Sequence, residues 1–207
     1  MFMARPALSA DEVDATRERL AAAGLRLYRE QGLDALSFRS LAEALGISHT
    51  QPYRYFESKD ALLAQMRVQA MQGFETFIRR REPADAPVIA RVRAVFAAYV
   101  AYVQTEAADY RLIFAIEQPP PDRYPALLAA RRRLFEHAVA LVQDAIDAGL
   151  IRGEARARTH LIWASLHGLL SLQAANQLVH GATLEQLAEP LLALLFSDAP
   201  SRLAAAT

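Results

Sequence analysis

Residues 37–60 read SFRSLAEALGISHTQPYRYFESKD. Ser37 is a suitable helix N-cap, and Phe38, Leu41, Ala42 and Leu45 follow at helical spacing, giving one apolar stripe along a helix that ends at Gly46. Glycine accepts positive φ, so Gly46 turns the chain, Ile47 tucks under the corner and Ser48 opens a second helix. Two short helices joined by a tight glycine turn form a helix-turn-helix. The second helix of that motif lies in the major groove of DNA and presents its N-terminal side chains to base edges; here these are His49, Thr50, Gln51 and Arg54. Pro52 disturbs the pattern, because it lacks an N–H and restricts Gln51 before it, so the second helix is expected to start late or to kink.

The string L-A-x-x-L-G-I-S at 41–48, followed by Y-R-Y-F-E-S-K-D-A-L-L at 53–63, is similar to the signature of the TetR family of transcriptional regulators. Upstream, residues 16–36, with Ala22, Ala23, Leu27, Tyr28, Gly32 and Leu36, look like that family's first helix and its exit. The resemblance covers the first quarter of the chain specifically and the remainder only by length and helical character. It implies an N-terminal three-helix DNA-binding domain at 1–60, a connecting helix at 61–82, and a helical domain at 83–207 that dimerises and binds a small molecule. The family places an aliphatic residue where this chain has Pro52.

Physical roles can be given to the motif's side chains. Arg39 can pair with a guanine or a phosphate, while Tyr53 and Tyr55 offer hydroxyls to phosphates and Phe56 packs inside. Ser58 caps the next helix, so the ammonium of Lys59 and a helix N-terminus converge on one phosphate. The resemblance matches Tyr53 and Lys59 to backbone-contacting positions and His49, Thr50 and Arg54 to positions facing bases; Ser37, Gln51 and Tyr55 complete the expected DNA-binding set.

Charge alone does not point to nucleic acid. The 207-residue chain carries 23 Lys and Arg against 23 Asp and Glu, and residues 1–60 hold eight basic and nine acidic side chains. Binding by bulk electrostatics is therefore disfavoured, and a locally basic face made by Arg39, Arg54 and Lys59 is required instead. A composition 53% hydrophobic buries a sizeable core. With no cysteine, disulfides and thiolate metal sites are excluded. The opening MFMARPALSADEVD has no apolar targeting region and no segment sustains a membrane span, so the expected location is cytoplasmic, with no membrane partner.

The rest reads as helices. Ser9 with Glu12 suggests a capping box opening a helix that runs to Gln31. After Ser58 a helix continues to Arg79–Arg81, and Pro83 and Pro87 mark a break. Further helices are expected over Val88–Thr105, Tyr110–Ile116, Ala126–Gly149, Glu154–Val179 and Thr183–Phe196. Pro119, Pro120, Pro121 and Pro125 form a stiff loop. No alternating β-branched run occurs, so the class is all-α.

Two functions are expected of the body. The last two helices are apolar over more than one stripe and need cover on two sides, one supplied by a second copy. The expected homodimer face holds Leu161, Leu169 and Leu172 on one helix and Leu184, Leu187, Leu191 and Leu195 on the other, with Gly168 allowing close approach. Aromatic bulk with polar tips at Phe96, Tyr99, Tyr102, Tyr110, Phe114, Phe135, Trp163 and His167 suits a small hydrophobic or aromatic effector. The same spacing also suits plain core, and a structural role for His167 is the simpler one. No cofactor, metal or catalytic residue is expected: the five histidines lie on separate helices or at edges, and no H-E-x-x-H, G-x-S-x-G or phosphate loop occurs. The expected function is a ligand-responsive repressor on a near-palindromic double-stranded operator. The alternative is a helical ligand-binding or scaffold protein whose helix-turn-helix no longer reads DNA.

Overall fold

The computed structural model describes residues 9–115, 117–120 and 122–196, and every regular element among them is helical. The α-helices are α1 (Ala10–Gln31), α2 (Phe38–Leu45), α3 (Lys59–Arg79), α4 (Val88–Thr105), α5 (Ala107–Tyr110), α6 (Pro125–Asp147), α7 (Ala155–Ala174) and α8 (Leu184–Leu195). A 3₁₀ turn occupies Pro52–Arg54 and a π segment occupies Arg111–Ala115. The chain is all-α, as its sequence leads one to expect. The N-terminal residues 1–8, Ile116 and Pro121, each part of an expectation above, lie outside the described residues.

Capping explains most helix ends. The Ser9 hydroxyl accepts from the Glu12 N–H at 3.2 Å and the Glu12 carboxylate accepts from the Ser9 N–H at 2.7 Å, which is the expected box. Thr183 and Gln186 repeat it at α8. Glu154 caps α7 by accepting from the N–H groups of Arg156 and Ala157, and those bonds hold its carboxyl below the usual carboxylate range. Pro125, expected in the loop, is instead the first residue of α6, where its missing N–H costs nothing. At the C-terminus of α7 the helix stops five residues before Val179. Asn176 takes φ 53°, its N–H bonds to the Gln173 carbonyl at 3.0 Å, and Gln177 reaches back to the Leu172 carbonyl at 2.8 Å. That is a left-handed cap with asparagine in glycine's usual place.

Gly46 closes α2 in the same way. Its φ is 62°, its N–H reaches the Glu43 carbonyl at 3.2 Å, and Ile47 bonds the Ala42 carbonyl at 3.0 Å. A Cβ there would meet nothing within 4 Å, so a substitution would be opposed by backbone strain alone. Gly46→Ala is expected to cost about 1–2 kcal/mol in urea denaturation; an unchanged midpoint would contradict the need for glycine at this turn.

The helices divide into two compact units. One is the chain up to Glu75 together with Glu106–Arg132, and the other is Thr76–Thr105 together with the chain from Arg133 onward. This differs from the division expected at residues 60 and 82: α3 is split within itself, and Glu106–Arg132 belongs with the N-terminal segment in the first unit. The reason lies in side chains that α1 and α3 send to that segment. Arg29 on α1 forms a two-pronged ion pair with Asp109, which is buried, and the Tyr28 hydroxyl donates to the Ala108 carbonyl at 3.0 Å. Arg67 on α3 donates to the Leu112 and Glu117 carbonyls at 3.2 and 2.9 Å. In the same unit Leu20, Leu36, Leu41, Leu62, Met66 and Phe74 are fully buried, and each such side chain stabilises the fold by about 1.5–3 kcal/mol.

The second unit is built on Val92, Phe96, Tyr102, Leu141, Ile151, Leu166, Leu170, Leu184 and Leu192, all buried. It also encloses an ionic cluster. Glu82 accepts from Arg91 Nε and Nη2 at 2.9 and 2.7 Å and lies 2.8 Å from His137 Nε2, while Arg91 Nη1 donates to Asp144 at 2.7 Å. The bonds to Glu82 and then Asp144 raise the already high pKa of Arg91.

Candidate nucleic-acid interface

The first unit presents its polar side chains on a short, well-braced corner. The Ser37 hydroxyl accepts from the Ser40 N–H at 3.0 Å and the Ser40 hydroxyl accepts from the Ser37 N–H at 2.9 Å, so Ser37 is committed to capping α2. Phe38, Leu41 and Ala42 bury the inner face of α2 and leave Arg39 outside, where its Nε pairs with Glu43 at 3.0 Å. His49, Thr50, Tyr53, Arg54 and Lys59 are all exposed and Gln51 is half-buried. The fold thus brings most of the expected set to the surface of one unit.

The expected second helix is a correction. Between Ser48 and Arg54 the chain makes turns and one 3₁₀ turn, with Gln51 N–H bonding Ser48, Arg54 bonding Gln51 and Tyr55 bonding Pro52, each three residues back. Pro52 is the cause: without an N–H it makes no bond four residues back to the Ser48 carbonyl, which takes Gln51 instead. Pro52 is itself fully buried, so the turn is anchored as well as shortened.

Tyr55 is the second correction. Only 9% of it is exposed, against 65% for Tyr53, because the 3₁₀ turn carries its ring inward beside Phe56, which is buried as expected. Tyr53 stands edge-on to Phe38 with ring centroids 4.6 Å apart, a brace that fixes an exposed ring against the core. Two supports had no signal in the sequence. Arg17 on α1 donates from Nε to the Tyr55 carbonyl at 3.0 Å and closes the end of the turn. The Lys59 ammonium donates to the Leu33 carbonyl at 3.2 Å, tying the α1–α2 loop to the start of α3, where the Ser58 hydroxyl accepts from Ala61 N–H at 3.1 Å. An ammonium has three donors, so the Leu33 contact leaves capacity for an anion.

The eight aromatic positions expected to line one effector cavity are divided between the two units. Tyr110 and Phe114 belong to the first unit and pack with Phe74, at 4.9 Å between Tyr110 and Phe114 and 6.2 Å between Phe74 and Phe114. The other six belong to the second unit, in which Phe96 and Tyr102 are buried core and Tyr102 meets Phe77 at 5.2 Å. Phe135, Trp163 and His167 form a row with His160, and Phe135 lies 4.4 Å from the His160 ring. His167 is 3.3 Å from the Ser171 hydroxyl, and burial holds its pKa below the ordinary histidine value. A helical aromatic spacing identifies a buried face without saying which neighbour fills it, and the segment from Glu106 to Arg132 went to the other unit.

The leucine stripes divide likewise. Leu161 and Leu172 are 59% and 48% exposed, and with Ala164 and Gly168 they form one open apolar face of α7. Leu169, Leu187, Leu191 and Leu195 are half-buried. Leu184, expected on the dimer face, is 2% exposed and belongs to the unit's own core. Among the described residues no helix is long and apolar enough to cross a membrane.

Residues 20–66 match the family described as "Bacterial regulatory proteins, tetR family", and residues 92–195, half of the chain, match "Tetracyclin repressor-like, C-terminal domain". The chain belongs to the TetR family. HTH-type transcriptional regulators of Mycobacterium bovis and Mycobacterium tuberculosis are 34% identical to this TetR-family chain over 154 residues. The match covers 68% of this chain and spans 61% of the length of those relatives. A solved protein of unknown function from a Rhodococcus species superposes with a TM-score of 0.75 at 24% identity, covering 87% of this chain and 93% of that one. The fatty acid degradation regulator FadR from Bacillus halodurans superposes at 0.69 and 14% identity, covering 89% and 96%. Both likenesses are of fold.

Proposed function

We propose that this TetR-family chain is a DNA-binding transcriptional regulator of the cytoplasm, a homodimeric repressor released from a near-palindromic operator by a small hydrophobic or aromatic effector. The observation that carries it is the exposed set Arg39, His49, Thr50, Tyr53, Arg54 and Lys59 on one braced corner of the first unit. Arg39, His49, Thr50, Gln51 and Arg54 read bases, while Tyr53 and Lys59 hold phosphates. Two copies present two such corners, and footprinting on DNA flanking its own gene should protect two half-sites about one helical turn, ~34 Å, apart. Protection of a single half-site would contradict the dimeric reading.

The open face of α7, with Leu161 and Leu172, serves as part of the dimer interface beside α8. Replacing both leucines by glutamate would bury two charges at such an interface and is expected to give monomers by sedimentation, with the helical content kept. A dimer that survives the double change would move the interface elsewhere. Effector binding selects a conformation in which the two corners no longer match the half-site spacing, with roughly 1–3 kcal/mol of coupling. Trp163, partly exposed in the row with Phe135 and His167, belongs to the effector side of that coupling.

The 3₁₀ turn at Pro52–Arg54 favours a second reading, in which the protein binds a ligand or scaffolds a complex without reading DNA. Competition by unrelated DNA separates the two.

A further inference from the structure

The first unit holds a cavity of about 320 Å³, with walls from four of its segments. Ligand sites usually measure roughly 300–1,000 Å³, so the space suits a small molecule. Its floor is written into α3. Ala61, Ala64, Gln65 and Val68 follow at spacings of three and four, which puts them on one helix face, and the two alanines leave room that larger side chains would fill. Tyr55 and Phe56, which follow the 3₁₀ turn, form a second wall, and Tyr124 and Leu127, around the start of α6, form a third. Arg17 of α1 supplies the fourth.

Charge and hydrogen bonding narrow the occupant. The charged residues of the lining are Arg17 and Glu57, one of each sign. Arg17 is already committed, with its Nε on the Tyr55 carbonyl at 3.0 Å and its Nη1 3.8 Å from Asp14. An anion would meet Glu57 and a cation would meet Arg17, with no surplus charge to offset the loss of water, whereas a neutral molecule meets neither cost. Phe56, Ala64, Val68 and Leu127 are buried apolar walls. Tyr124 adds a polar point: its hydroxyl is buried and has no hydrogen-bond partner, although a buried phenol ordinarily finds one. A phenol can donate to a neutral acceptor such as an aromatic ring nitrogen.

We propose that this cavity is a binding site for a small, neutral, flat aromatic molecule with one hydrogen-bond acceptor, which takes the proton of the Tyr124 hydroxyl in a hydrogen bond. The aromatic residues Tyr55, Phe56 and Tyr124 match a flat ring, and the alanines of α3 admit it. Because Tyr55 and Phe56 directly follow the 3₁₀ turn, the bound molecule packs against the residues that close the exposed corner. The row around Trp163 belongs to the second unit and contributes nothing to these walls. The site goes beyond the proposed function and does not depend on it, because binding is read on the free protein.

The test uses the full chain with quinoline and naphthalene, two rings of one shape that differ in a single nitrogen acceptor, and with benzoate and benzylammonium as charged probes at fixed ionic strength. Calorimetry and thermal unfolding follow binding. Quinoline should bind saturably, one per chain, raise Tm, and bind roughly 2- to 10-fold more tightly than naphthalene. Tyr124→Phe should abolish that difference while naphthalene affinity stays the same. Ala61→Leu keeps a good helix former and fills the cavity, so both rings should lose binding. Equal affinity for the two rings in the wild-type protein, or a difference that survives Tyr124→Phe, would overturn the role of the hydroxyl. A charged probe that binds more tightly than quinoline would overturn the neutral assignment. Absence of saturable binding by any probe, or quinoline binding unchanged by Ala61→Leu, would overturn the site.

Discussion

Arg39→Ala is expected to lower operator affinity roughly 5- to 100-fold, the range of one good base or phosphate contact of about 1–3 kcal/mol. The side chain is 82% exposed, and among the described residues its one ion pair is the Nε contact to Glu43, which leaves both Nη groups available to a partner. Giving up that exposed pair costs less than about 1 kcal/mol, which a contact with guanine or phosphate exceeds. Glu43→Ala is the matching control: it removes the competing acceptor and should leave affinity unchanged or increase it. Fluorescence anisotropy at fixed salt measures both, and unfolding midpoints should stay within about 0.5 kcal/mol of wild type, since neither residue is buried. Unchanged affinity for Arg39→Ala would remove that residue from the interface.

Phe74→Ala should cost about 3–5 kcal/mol of stability. Phe74 is 1% exposed on α3, and its ring stands edge-on to Phe114, so truncation leaves a cavity in the core of the first unit. Against a total of roughly 5–15 kcal/mol this loss removes a large share of the fold's stability. Phe74→Leu, which keeps most of the volume, should cost less than Phe74→Ala. Equilibrium urea unfolding reads both. A loss below about 1 kcal/mol for alanine would mean that the neighbourhood collapses into the space and that the packing of α3 on Phe114 is not what joins Glu106–Arg132 to the rest of the first unit.

Helix ends set by local chemistry were legible in the chain: Ser9 with Glu12, Ser37, Gly46, Ser58, and Thr183 with Gln186 each act within four residues of themselves. Asn176 was harder to see, because asparagine favours the left-handed cap less strongly than glycine and nothing around it repeats the signal. Pro52 was visible as a disturbance, but its outcome depended on the full burial of its ring, a tertiary effect. The orientation of Tyr55 followed from that same shortening. The assignment of Glu106–Arg132 to the first unit rests on Arg29, Tyr28 and Arg67 reaching partners 45 to 80 residues away, and periodicity carries no information about such contacts. For the same reason the aromatic positions read as one lining although Tyr110 and Phe114 belong to the first unit and the other six to the second. Leu184 looked like Leu187 or Leu191 in the sequence, and only the packing of α7 on α8 distinguishes a residue facing its own chain from one left open.

The most direct test of the central claim is a competition titration. Purified protein is added to labelled DNA from beside its own gene, at fixed salt, in the presence of excess unlabelled, unrelated DNA. The account predicts saturable binding that survives the competitor and disappears in Arg39→Ala with Arg54→Ala combined. Equal affinity for the two DNAs, from protein confirmed as folded, would contradict it and would identify the 3₁₀ turn at Pro52 as the place where a DNA-reading corner has been lost.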